Sequence, residues 1–281
     1  IDNWFKLKDY QPQGEVYDEL RLLGRQYSHY ITLKIRSKLS LANILDRTMP
    51  GIKRLIRGDL AANPTKDKLS DFAEKYWHYD NITNFTQDDF VMDYCAWAKE
   101  KGYQANKTKA VAIYYTALDG VPTLSSSLKT TQLLIIEAIN TLKAIKQALK
   151  NILTQMQELA MSLPEYAIVR STGGVGEILA PRLIAEIGDV RKFHSSKAFI
   201  AYSGIDSPPH ESGKFKGQGA SISKHGSSLL RKTGYEIMTS IKVVKPVDDP
   251  AVYQFILKKE SEGKPKKVVK IAAFNKFLRI Y

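Results

Sequence analysis

The sequence predicts a mainly α protein. A long coiled-coil helical region covers residues 1–164, and a second helical domain with a helix-hairpin-helix-like element covers 165–281. Three observations carry this expectation. Apolar residues recur at helical spacing along most of the chain. A heptad seam runs for about five repeats up to Pro164. No stretch alternates apolar and polar residues for long, and only Ile200–Ile205 reads as a short strand.

Residues 1–12 read as an extended lead-in ending at Pro12. A long helix follows from about Glu15 to Thr48. Val16, Leu20, Leu23, Tyr27 and Tyr30 mark its apolar stripe, continued by Ile31, Ile35, Ala42 and Leu45. Arg21, Arg25, Lys34, Arg36 and Lys38 lie off that stripe, as a solvated face or as a groove for a phosphate backbone; spacing does not choose between them. Pro50-Gly51 stops the helix. Three shorter helices are expected at 66–77, 86–101 and 106–118. Asp88 and Asp89 in a first turn suit the positive end of the helix dipole, and Gly102 suits a helix end. Phe72, Tyr76, Trp77, Phe90, Tyr94, Trp97, Tyr114 and Tyr115 read as a small core rather than a base-stacking platform.

After Pro122 and Ser125–Ser127 comes the most regular segment. Leu128, Ile135, Leu142, Leu149, Met156 and Leu163 fall every seventh residue, with Thr131, Ala138, Ile145, Ile152 and Leu159 three positions later. This seam needs a partner, either the 15–48 helix or the same helix of a second copy. Beyond Lys232 the pattern stays helical: Gly234–Val244, a helix capped by Asp249-Pro250, a turn at 262–265 and a last helix to the end.

The 281 residues suffice for a sizeable core, and 43% hydrophobic with 25% charged residues is a globular composition. The net charge of +13 is the unusual quantity. Residues 164–281 hold 20 Lys/Arg against 11 Asp/Glu, so most of the excess sits there. A polyanion is therefore the favoured partner, nucleic acid ahead of an anionic membrane surface. The single cysteine, Cys95, excludes an internal disulfide and a thiolate metal cage, and reads as a core residue. No apolar run reaches membrane-spanning length and no signal peptide is present, so a cytoplasmic protein is expected.

The chemistry concentrates between Ser171 and Lys232. Gly173, Gly174 and Gly176 precede an amphipathic helix, and free N–H groups at such a start can seat a phosphate. The glycine spacing alone is a weak signal. Residues 191–232 then hold eight Lys/Arg and two acids in a stretch rich in Gly and Ser. Candidate nucleic-acid contacts are Gly174, Gly176, Arg191, Lys214, Lys216, Lys224, His225, Arg231 and Lys232. A second helix start is expected at Ser223-Lys224-His225-Gly226. Ser212, between Glu211 and Gly213, reads from chemistry alone as a turn serine. As a nucleophile on phosphorus it would need cations, from Lys214, Lys216 and Arg231, and a base, from Glu211, His210 or His225.

The runs GVGEILAPRLIAEIGDVRKFHSSKAFIAYSGID, ESGKFKG and ISKHGSSLLRK resemble the C-terminal transposase domain of the insertion sequence one-ten family. DDPAVYQF, EGKPKKV and AAFNKFLRIY are similar to the tail of that family, and the helices before 164 and the opening Ile1-Asp2-Asn3-Trp4 to its coiled-coil region. The resemblance implies a transposase, a DNA recombinase in which Ser212 matches the serine that forms a transient covalent link to DNA. It also implies homo-oligomers, a structured guide RNA, and Mg²⁺ held by four acids of a resolvase-like domain that would precede Ile1. No cofactor or metal is expected on this chain itself. The alternative reading is a non-catalytic helical module that binds DNA or RNA and oligomerises through the heptads.

Overall fold

The computed structural model describes residues 14–56, 67–207 and 221–281, with the backbone of Glu211, Ser212, Phe215 and Lys216. The expected lead-in at 1–12 lies outside them. The chain is mainly α, and the described elements run α1 (Glu15–Thr48), α2 (Ile52–Leu55), α3 (Lys68–Lys75), α4 (Asp80–Thr83), α5 (Gln87–Glu100), α6 (Lys107–Asp119), α7 (Lys129–Met161), α8 (Pro164–Ser171), α9 (Leu179–Ile187) and α10 (Ser196–Ser203). After a two-strand ladder, β1 (Glu211–Ser212) and β2 (Phe215–Lys216), come α11 (Ser228–Val244), α12 (Ala251–Ser261) and α13 (Lys266–Ile280). No described helix is long and apolar enough to cross a membrane.

Two compact units emerge. One joins the described residues up to Ser28 with Asn151–Tyr281; the other is His29–Lys150. Pro164, the boundary expected from sequence, opens α8 within the first unit.

In the His29–Lys150 unit most of the aromatic residues read as a core form one, whereas Tyr115 is 51% exposed. Phe72, Tyr76, Phe90, Tyr94 and Trp97 are buried and meet at ring distances of 4.8–6.3 Å, mostly tilted or edge-on. Some buried polar atoms find partners: the Tyr79 hydroxyl donates to the Pro50 carbonyl at 2.6 Å, and His78 Nε2 meets the Leu124 carbonyl at 2.9 Å, whereas the Tyr94 hydroxyl and Trp97 Nε1 make no hydrogen bond among the described residues. The Gly102 helix end acts as read. Thr86 caps α5, accepting from the Asp89 N–H at 3.3 Å, and Gly102 takes a left-handed φ of 68° after that helix.

The heptad positions of α7 track its buried face. Thr131, Ile135, Leu142, Ile145, Leu149 and Met156 are buried, whereas Leu128 is 50% exposed. Ile135, Ile139 and Leu142 share one core with Leu41 and Leu45 of α1 and with Met49 just beyond it. Ile135 and Leu142 of the seam thus pack into the same core as the aromatic residues.

In the other unit α9, α11 and α13 pack together, and α12 packs on α13. Gly234 permits the α11–α13 approach, since a Cβ there would lie 2.3 Å from the Phe274 ring. Two sequence expectations need correction. Residues 200–203 end α10 rather than start a strand, and Gly204 (φ 65°) closes that helix. The helix expected at Ser223 begins at Ser228, because 223–227 are used in backbone pairing described below.

Burial separates two apolar substitutions that periodicity treats alike. Phe72→Ala should cost about 3–5 kcal/mol, and Leu128→Ala within about 0.5 kcal/mol, in denaturant unfolding of the chain. Equal losses at the two positions would contradict the burial pattern.

Candidate nucleic-acid interface

The segment carrying Ser212 leaves α10 after Gly204 and returns to α11. Backbone bonds close its base: Lys224 N–H donates to the Gly204 carbonyl at 3.0 Å, Ser223 N–H to the Asp206 carbonyl at 2.8 Å, and Ser227 N–H to the Tyr202 carbonyl at 3.1 Å. The Ser223 hydroxyl adds a bond to the Asp206 carboxylate. Gly226 is essential to this closure, because a Cβ there would fall 1.9 Å from the Tyr202 carbonyl oxygen. Lys224 adopts φ 57°, a left-handed conformation that costs a non-glycine residue about 1 kcal/mol.

Side chains brace the same base. Arg231 Nη1 donates to the Ser203 carbonyl at 3.0 Å and the Gly226 carbonyl at 2.9 Å. Ser227 caps α11, accepting from the Leu230 N–H at 3.1 Å, while its hydroxyl donates to Glu186 Oε2 at 2.6 Å. Glu186 is buried on α9, and its carbonyl accepts from the Tyr202 hydroxyl at 3.1 Å. A buried carboxylate with a hydroxyl donor is satisfied rather than orphaned. Beyond this stem, β1 and β2 pair antiparallel with Glu211 opposite Lys216 and Ser212 opposite Phe215. Ser212 thus sits on the last pair before a two-residue connection. Lys214 lies outside the described residues, as do the side chains of His210, Glu211, Ser212 and Lys216.

The glycine loop joins α8 to α9. Gly174 has φ 94°, and a Cβ would meet the Ile241 backbone at 2.9 Å; at Gly173 it would strike Pro246 at 2.4 Å. These two serve close packing on α11 and the segment after it. Gly176 is different: it is exposed, a Cβ would meet nothing within 4 Å, and its carbonyl accepts from the Leu179 and Ala180 N–H groups at the start of α9.

The predicted cations divide. Arg191 is exposed but held two-pronged by Asp189 at 2.8 and 2.9 Å, which keeps that carboxyl below its ordinary range. Arg231 is half-buried in its carbonyl clamp. Lys224, His225 and Lys232 are exposed. Lys192, not among the predicted contacts, donates to the Ile187 carbonyl at 2.5 Å and stands 4.9 and 4.8 Å from the Phe193 and Tyr202 rings; loss of water pushes its ammonium down to about 8. Sequence reasoning also missed Glu186, Tyr202 and Ser227. Ser227 alone carried a local signal, a serine before an apolar helical run. Among the described residues no group of three or more His, Cys, Asp or Glu is placed to hold a metal ion.

Part of this chain is similar to known proteins. Residues 166–254 match the family model described as Transposase IS116/IS110/IS902 family, a window that runs from α8 into α12 and encloses Ser212. The pilin gene-inverting proteins of Moraxella bovis and Moraxella lacunata are each 29% identical over 130 residues, covering 45% of this chain and 39% of theirs. The chain thus spans about two fifths of the length of these relatives.

The glycines yield a paired prediction. Gly226→Ala should destabilise the 151–281 region by about 1–3 kcal/mol or more, as overpacking does, whereas Gly176→Ala should stay within about 0.5 kcal/mol. Urea unfolding followed by tryptic sensitivity of the 204–227 segment distinguishes them.

Proposed function

We propose that this chain acts in DNA transposition or site-specific recombination, with Ser212 as the nucleophile. One observation carries the reading: the transposase-family match encloses a serine seated at the end of a short ladder whose base is locked by backbone bonds. The relatives' name, pilin gene-inverting protein, describes the same class of event.

The chemistry is an exchange of phosphodiesters. The Ser212 hydroxyl attacks phosphorus, a Ser–O–P bond forms, and the P–O bond to the departing strand breaks. The serine proton passes to Glu211, His210 or His225, and the departing oxygen takes a proton to become a strand-end hydroxyl. A second strand's hydroxyl then attacks the phosphoserine and regenerates the serine. Lys214 and Lys216, within four residues, offset the charge that builds on the phosphoryl oxygens, and Arg231 adds positive charge at the foot of the stem. DNA phosphates would lie along Lys224, His225 and Lys232, with Arg191 and the open Gly176 nearby. The family resemblance assigns Mg²⁺ to four acids of another domain. The described residues of this chain do not fit such a site. Structured guide RNA and further copies of the chain, joined through the heptad helix, complete the proposed assembly, in the cytoplasm.

The second reading, a module that binds nucleic acid without cutting it, draws on the +13 charge alone. Ser212→Ala in the full-length protein separates the two. On labelled DNA under denaturing electrophoresis, the wild type should give a covalent adduct and the variant none, with affinity unchanged within about twofold. Adducts persisting in the variant would remove Ser212 from the reaction, and binding without adducts in either protein would favour the module. Gly176→Val should weaken duplex binding and lower its log–log salt slope by pushing the phosphate away from the loop. An unchanged slope would exclude the glycine loop from the interface.

A further inference from the structure

The basic residues of α1 have two readings in sequence, and the structure separates them at one place. Between Leu20 and Leu45 this helix carries five cations and no acid. Lys34 and Lys38, one turn apart, meet Lys146 of α7 around a single carboxylate, Asp67. Lys38 Nζ lies 2.6 Å and Lys146 Nζ 3.7 Å from Asp67 Oδ2. Lys34 is half-buried beside them and forms no ion pair among the described residues. Three ammonium groups therefore share one negative charge in a partly enclosed position. One turn earlier on α7, Lys143 has Glu74 as a partner at 2.6 Å, the usual one-to-one arrangement.

The electrostatics follow the geometry. Loss of water, then the charges of Lys38 and Lys146, push the Lys34 ammonium below its ordinary range, against the pull of Asp67. Burial works against the Asp67 carboxylate, but Lys38 and Lys146 outweigh it and hold its pKa down. An anion entering the cluster relieves repulsion that Asp67 only partly offsets. Ammonium groups on flexible stems suit phosphate as point charges with rotatable donors. A helix with a long acid-free run of cations suits a polymer of repeating negative charge.

We propose that Lys34, Lys38 and Lys146 form a seat for a phosphodiester of bound nucleic acid, with Asp67 holding the lysines together when the seat is empty. This goes beyond the recombination reading. The cluster lies in the His29–Lys150 unit, outside residues 166–254, and would serve equally a chain that binds nucleic acid without cutting it.

The test is binding of the full chain to a labelled duplex DNA and a labelled single-stranded RNA over a salt series. Lys34→Gln should reduce the duplex log–log slope by about 0.9 and weaken affinity about fivefold near physiological salt. Its melting temperature without nucleic acid should equal or exceed that of the wild type, because a like charge has gone. Asp67→Asn should tighten binding. A slope lost on one probe alone identifies that nucleic acid as the occupant. Wild-type slopes on both probes for Lys34→Gln and for the Lys34→Gln/Lys146→Gln double variant would overturn the proposal. Should Lys34→Gln unfold the chain, Lys34→Met keeps the aliphatic stem, and the same loss or persistence of slope decides the matter. Adduct formation by Ser212 is not read in this assay, so the two proposals fail separately.

Discussion

The close approach of two backbone segments at Gly226 is the constraint on which the serine-bearing region depends. A carbonyl oxygen occupies the space where any other residue would place its Cβ. With that approach made, Ser227 reaches the Tyr202 carbonyl and Lys224 the Gly204 carbonyl. The α11 cap then falls where its hydroxyl also meets Glu186. Each bond is worth only about 1 kcal/mol net, but together they fix where the strand pair starts. In the proposed reaction Ser212 would gain from such a frame, because displacement at phosphorus depends on placing reacting atoms rather than on binding energy alone.

Charge is organised in a comparable way. A formal excess of +13 suggests a uniformly basic surface, but the cations have different duties. Arg182 is paired with Glu236 at 2.6 Å and Arg191 with Asp189, while Arg231 and Lys192 serve backbone carbonyls. Guanidinium groups satisfied inside the protein lose less on desolvation than unpaired ones, and stabilise the loops they span. Exposed lysines such as Lys224 and Lys232 retain their charge for a partner. The Lys34–Lys38–Lys146 cluster stands between these groups, with more positive charge than one carboxylate offsets.

Much of the fold was legible in the sequence because helices are announced locally. The α1 and α7 stripes, the acids in the first turn of α5 and the Gly102 terminus all rest on interactions within a few residues. The aromatic residues between 72 and 97 announced a core by their spacing. Local signals failed where a distant partner intervened. Ile200–Ile205 has strand-like composition, yet α10 forms there and ends at Gly204 against Gly226, twenty-two positions on. The helix read at Ser223 starts later because residues 223–227 pair with 202–206 instead.

What the sequence by itself determined is the helical class, the positions of most helix ends, the basic character and the identity of the serine-bearing segment. These depend on periodicity, capping and composition, which are properties of neighbours along the chain. Tertiary structure alone decided that Gly174 serves packing while Gly176 stays open, that Arg231 clamps carbonyls, and that Glu186 braces α11. Those roles come from groups brought together across tens of residues, and a glycine or an arginine looks the same in the sequence whichever role it takes.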